Sequence, residues 1–384
     1  MSLDLTTAQQ SLKTEIIAFA EQHLNQGAAQ RDELQEFDRT LWQKSGALRL
    51  PGLAVPESCG GRGLDVVSTM VGLEALGYGC RDNGFSFAIG AHLLACVVPI
   101  WLYGNEQQKT NLLPSLCDGT WIIANAMTES ESGSDAFNMQ TTAAKKGDCF
   151  VLNGEKNFCS NAPVADMLLT YAATDRAKGM FGGISAFILQ KSLKQYELGG
   201  KVDKMGLRSC TMSSVFFDNV SLSKTDLLGK EGGGAVMFTK SMIWERIGLS
   251  AVHLGTLQRL LEDTIEVVKK RKKAIGTAYG EDFQAVSHQL ASIKVELEAA
   301  RHLVYHAAWL LQNKKSADLY SSMAKLKASE LYKKDTMELL QIQESMAHSN
   351  DANMVRSFKD ATASTIYSGS SEIQKNIIAK RLKI

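Results

Sequence analysis

The chain has 384 residues, 45% hydrophobic and 22% charged, enough for several packed layers rather than one small core. Its 42 basic and 41 acidic residues leave a formal charge of +1, which argues against a general nucleic-acid or membrane-surface binder. The seven cysteines are widely spaced with no Cys-x-x-Cys pair, which excludes a zinc cluster or disulfide framework and suits a reducing cytosol.

The N-terminal residues are polar, so we read no signal peptide, and we expect no apolar run long enough to span a bilayer. Residues 7–118 predict helices. Leu12, Ile16, Ile17 and Phe19 open an amphipathic stretch, and 67–76 and 91–103 are apolar runs of helical length. Between them, 50–64 carries Pro51, Pro56, Gly60, Gly61 and Gly63 and predicts a loop. The texture then changes. Short apolar runs at 121–127, 149–152, 167–172, 184–189 and 213–217 predict strands of a small antiparallel sheet or barrel, with Asn153-Gly154 as a hairpin turn. The last proline is Pro163, so long helices are permitted beyond it. Helical spacing returns at 237–272, 283–313, 321–343 and 373–382. The fold class is therefore α+β, mostly α. We divide it as 1–120 helical, 121–228 β and 229–384 a helical bundle.

Residue chemistry alone reaches less far. The cluster 126–135 sets Thr128, Ser130, Ser132 and Ser134 around Gly133 after an apolar strand. It reads equally as a turn that binds a cofactor or as a solvent turn. The Gly229–Gly234 run reads as a hinge into a helix rather than a phosphate loop. His302 and His306 share a helix face without a third ligand, so no metal set is assigned. Glu245 is one acid of 41, and a salt bridge to Arg246 or Lys240 is its ordinary reading.

Several motifs then fall in order along nearly the whole chain. Segment 121–135, containing Met127-Thr128-Glu129-Ser130-Glu131-Ser132-Gly133-Ser134-Asp135, resembles the first signature of the acyl-CoA dehydrogenase flavoproteins. Segment 154–161 resembles their "G-x-K-x-W-I-T-N" strand. Segments 203–209 and 226–234 follow, and 366–381 resembles their second signature. The resemblance implies an N-terminal helical domain, a middle β-barrel and a C-terminal four-helix bundle, with FAD between barrel and bundle. It implies that Met127, Thr128 and Ser134 bind the flavin and its phosphates. Phe158 replaces the usual Trp, and Ser160 replaces the usual Thr near flavin N5. Ser370 and Glu372 match positions that touch FAD. Arg271 and Gln341 match residues that complete a neighbouring subunit's site. However, Arg271 is one residue out of register, and the glycines that normally follow Gln341 are absent.

Ser368 stands where straight-chain members carry the catalytic glutamate. Glu245 matches the second known location of that base, in members acting on branched or cyclic acyl groups. The resemblance therefore implies Glu245 as general base, with Ser368 and Arg246 on the substrate side. Segments 81–87, 91–100, 138–143 and 241–245 narrow it to the prolyl-carrier-protein dehydrogenases and oxidases of secondary metabolism. That group implies L-proline held as a thioester on the phosphopantetheine arm of a peptidyl carrier protein. Lys201, Lys204, Arg208 and Lys240 are the basic residues on offer to such an acidic carrier. The expected electron acceptor is oxygen or an electron-transfer flavoprotein, the expected assembly a cytoplasmic homotetramer. The alternatives are a short branched-chain acyl-CoA dehydrogenase and a catalytically silent assembly homologue.

Overall fold

Side-chain caps set most helix starts in the N-terminal third of the computed structural model, which describes residues 4–275, 284–343 and 353–384. Thr6 and Gln9 close a capping box on α1 (Thr7–His23). After α2 (Ala28–Leu34), Asp38 caps α3 (Arg39–Ala47), Asp65 caps α4 (Val66–Gly79) and Asp82 caps α5 (Asn83–His92). A π-turn at Leu93–Val97 carries α5 into α6 (Val98–Tyr103). Asn105 caps α7 (Glu106–Cys117). The expectation of no membrane-length run needs correcting. Asn83–Tyr103 is 21 residues long and apolar enough to cross a bilayer, but 78% of its apolar window is buried inside the protein. Its apolarity serves the core, because α9 (Gly234–Ile275) packs along it.

The middle region holds β1 (Ile123–Ala126), β2 (Thr142–Lys146), β3 (Cys149–Ser160), β4 (Met167–Ala173), the single turn α8 (Met180–Gly183), β5 (Ile184–Gln190), β6 (Glu197–Lys201), β7 (Met212–Leu222) and β8 (Leu227–Leu228). They form one sheet in the order β6-β7-β3-β2-β4-β5-β8, with β1 paired to β4. The β1–β4 pairing is parallel, as is the single β2–β4 contact. Asn153-Gly154 is not the hairpin turn. Lys146 pairs with Cys149, so the turn is Gly147-Asp148. Gly154 sits inside β3 at a register shift, with φ +138, and a Cβ there would lie 2.7 Å from the Thr141 Cα. Its glycine serves a close backbone approach.

The C-terminal region is built on α9, which packs against α4, α10 (Gln284–Gln312) and α11 (Asp318–Gln343). Contact with α4 needs glycines: a Cβ on Gly255 would sit 1.9 Å from the Glu74 carbonyl oxygen. The helices α12 (Asn353–Ala361) and α13 (Ser371–Leu382) complete the bundle. Asp360 on α12 accepts from Asn83 Nδ2 (2.9 Å) and the Leu207 amide, which ties all three regions together at one carboxylate.

Candidate active site

Glu245 projects from α9 among Ile243, Trp244 and Ile247, all buried, and is itself 8% exposed. The segment before α13 turns back toward it through two left-handed residues, Ser368 (φ +57) and Gly369 (φ +88). Gln374 Nε2 locks that turn by donating to the carbonyls of Ser368 (3.1 Å) and Gly369 (2.8 Å). Ser370 caps α13 through the Ile373 amide. The result places Ser368 Oγ 2.6 Å from Glu245 Oε1, with the hydroxyl donating. Glu245 Oε2 is buried with no hydrogen-bond partner among the described residues. Burial pushes the Glu245 pKa up, while the Ser368 hydrogen bond, then Arg246 and Lys325, pull against it.

The ordinary reading of Glu245, a salt bridge to Arg246 or Lys240, is not what the fold builds. No such pair forms among the described residues. Arg246 Nε instead reaches the Ser368 carbonyl at 3.4 Å. Around this centre, the Tyr367 hydroxyl and His253 Nε2 are 2.6 Å apart. Burial lowers the His253 pKa to about 3, so the ring is neutral. Tyr367 packs on Phe87, and Trp101 stands edge-on to Trp244. The Cys96 thiol, on the π-turn, is pushed up chiefly by burial and then by both Glu245 and Cys159.

A second centre lies where β1 ends. The Met127 carbonyl accepts from Lys156 Nζ (2.9 Å), and the Thr128 carbonyl accepts from the Asn157 amide (2.7 Å). Lys156 is fully buried on β3 and also pairs with Glu129 at 2.9 Å. The Glu129 carboxylate further accepts from the amides of Gln140 and Thr141. Burial would raise the Glu129 pKa, but the Lys156 hydrogen bond and charge hold it below the usual carboxylate range. The next residue but one, Phe158, takes a left-handed φ of +55 and leaves 62% of its surface uncovered. Ser160 follows it, half-buried.

The fold thus gathers Met127, Thr128, Phe158 and Ser160 in one place, and Glu245, Arg246, Ser368 and Ser370 in another. Ser134 lies on the exposed turn after Thr128, and Glu372 is exposed in the first turn of α13. Arg271 and Gln341 are brought together elsewhere. Arg271 donates to the carbonyls of Ile342 (2.8 Å) and Gln343 (2.7 Å) at the end of α11. It lies 26 residues beyond Glu245 on one helix, roughly 39 Å at 1.5 Å per residue. Gly276 and the segment from Glu344 to Ala347, where the sequence departs from the resemblance, lie outside the described residues. Sequence reading assigned no role to Lys156 or Lys325. Lys156 is the lysine of the 154–161 strand motif and Lys325 one lysine among many, and only the fold reveals that both ammonium groups are buried.

Three family descriptions match in order: Acyl-CoA dehydrogenase N-terminal domain over residues 6–120, middle domain over 124–220 and C-terminal domain over 232–383. An L-prolyl-[peptidyl-carrier protein] dehydrogenase from a Serratia species is 36% identical over 382 residues, covering 100% of this chain and 98% of that protein. Among solved structures, "PigA with FAD and proline" superposes with a TM-score of 0.95 at 36% identity, covering 100% of this chain and 99% of that one. The prolyl acyl carrier protein oxidase AnaB gives a TM-score of 0.95 at 37% identity, covering 99% of this chain and 100% of that one. With its three regions, their order and these full-length relatives in agreement, the chain belongs to the acyl-CoA dehydrogenase family.

Proposed function

We propose that this protein oxidises an acyl thioester across its α and β carbons with FAD, and that the acyl group is L-proline on a peptidyl carrier protein. The observation that carries the chemistry is the meeting of Glu245 and Ser368, 123 residues apart in sequence, at 2.6 Å. The relatives named above support the substrate.

The residues present fit FAD. Phe158 offers an uncovered aromatic face beside the Met127–Thr128 turn, and Ser160 offers a hydroxyl on the same strand. We assign Met127, Thr128, Ser134, Phe158, Ser160, Ser370 and Glu372 to the cofactor. When bound, FAD supplies the acceptor for the hydride that leaves the β-carbon. Arg271 is too far along α9 to serve the same chain's Glu245 site, and Gln341 lies beside it at the end of α11, so we assign both to the cofactor of a second copy within a homotetramer.

Glu245 takes the α-proton at Oε2, the oxygen without a partner, while Ser368 Oγ fixes Oε1. Its buried setting raises its pKa toward the working pH, which suits a general base. The Ser368 amide is assigned to the thioester carbonyl, where a donor stabilises the developing enolate. Arg246 steadies that loop through the Ser368 carbonyl. Proton and hydride leave together as a C=C bond forms, so the product is the α,β-unsaturated thioester. Oxygen or an electron-transfer flavoprotein would be the final electron acceptor.

The carrier surface needs revision. Lys201, Lys204 and Arg208 all donate to backbone carbonyls of the same chain, and Arg208 also pairs with Asp203. Lys240, exposed on α9, remains the residue we assign to steering the carrier.

The test is anaerobic flavin absorbance after adding L-prolyl-loaded carrier protein, with isovaleryl-CoA in a parallel sample. Bleaching by the prolyl carrier alone is the expected result. Bleaching by the CoA ester alone overturns the carrier substrate and keeps the Glu245 chemistry. Silence from both overturns the oxidation itself.

A further inference from the structure

Lys325 lies in the first third of α11, only 2% exposed, and its Nζ has no hydrogen-bond partner among the described residues. An ammonium without a partner in such a place is destabilising, because the charge is desolvated and nothing nearby compensates it. Its surroundings share the condition. Glu245 Oε2, His253 Nδ1 and Ser322 Oγ, the last on the preceding turn of α11, are buried and unpartnered as well.

The helices α9 and α11 run side by side in one direction, His253 stacking on Tyr332 and Gln343 Nε2 donating to Thr264 Oγ1, and that register sets Glu245 and Arg246 level with Lys325. The charges that act on Lys325 are Arg246 and Glu245 on α9, Glu330 on α11 itself and Glu372 on α13. Glu330 and Glu372 are exposed, and Glu330 accepts from Ser371 Oγ, so both are solvated or engaged elsewhere. His253 on α9 is neutral. Glu245 is the buried acid of the group, and it retains an unused oxygen.

We propose that Lys325 is a positioning residue for Glu245: its buried ammonium, with no partner of its own, holds the neighbouring carboxyl in the ionised form that can accept a proton. The inference rests on the reading of Glu245 as the base. Arg246 acts in the same direction and more strongly, but it stays charged at every working pH. Burial first, and Arg246 second, bring Lys325 down to about 8. Lys325 is therefore the cation that can switch. Below that pH it is charged and favours the Glu245 carboxylate. Above it the charge fades, and that support of the carboxylate fades with it.

The experiment follows the Glu245 carboxyl band by infrared titration of the flavin-loaded enzyme, the band being assigned by its loss in Glu245→Gln. In Lys325→Met the midpoint should rise by about one pH unit, and in Lys325→Arg it should stay near the parent value. The acid limb of kcat/KM for the prolyl carrier should move with it. If Lys325→Met does not fold, Lys325→Gln takes its place with the same expected rise. An unmoved midpoint in a folded, charge-free variant overturns the proposal. A raised midpoint in an enzyme that bleaches with neither thioester keeps the coupling and instead removes Glu245 as the base.

Discussion

The two halves of the site treat buried polarity in opposite ways. At the Met127–Thr128 turn, Lys156 bonds Met127 and Glu129, and Glu129 takes two further amide donors. Around Glu245, one carboxylate oxygen, one imidazole nitrogen and one ammonium have no partner among the described residues. A satisfied network is rigid and fixes geometry, as a cofactor platform requires. An unsatisfied one can titrate and accept a substrate proton, as a base requires. The protein keeps its satisfied polarity at the Met127–Thr128 turn and its unsatisfied polarity around Glu245.

The largest effect should come from the reactive half. Glu245→Gln should slow flavin reduction by roughly 10²- to 10⁴-fold while yellow flavin stays bound, read by anaerobic stopped-flow absorbance. A flavin-bound, fully active variant would break the comparison at once. The satisfied half should fail by unfolding instead. Lys156→Met leaves the Glu129 carboxylate buried without its counter-ion, at a cost of about 3–5 kcal/mol in urea unfolding, with flavin content falling alongside. The expected acid dependence has a clear sign: Glu129 is held below its unfolded pKa, so its contribution is present above that value and lost as pH falls through the folded one.

Ser368→Ala sharpens the contrast within the reactive half. It removes the hydroxyl donor that favours the Glu245 carboxylate and should move the acid limb of kcat/KM upward, read from the pH profile of the flavin-loaded enzyme. Asp335 is the control. It is buried on α11 with Oδ2 unpartnered among the described residues, and burial raises its pKa to about 7. Its folded pKa lies above its unfolded one, so the stability it contributes is full below about 4 and lost as pH rises through about 7. Asp335→Asn should therefore gain about 1 kcal/mol at pH 8, less at pH 5, with turnover unaltered.

Much of the fold could be read from pattern. The absence of proline after Pro163 and the apolar spacing anticipated α9, α10, α11 and α13. The elements that escaped are weakly patterned or too short for their pattern to repeat: β2 is mostly lysine and alanine, β6 carries two glycines, and α12 is amphipathic but only nine residues long. Gly154 misled because a turn and a close strand contact select the same residue. In the site, Glu245 and Ser368 could be paired only through resemblance, since no spacing rule links positions 123 residues apart. Lys325 carries no sequence signal, and Lys156, the lysine of the strand motif, carries none that says it is buried. A buried lysine and a solvated one are written with the same letter.

The π-turn at Leu93–Val97 acts as a phase shifter built into a helix. It holds one residue more than α-geometry would, so Val98–Tyr103 is rotated relative to Asn83–His92. Deleting a single residue there would relax the segment to a regular helix and turn everything after it by about 100°. Trp101 would swing off Trp244, the residue next to Glu245, although no residue of the site itself had been changed.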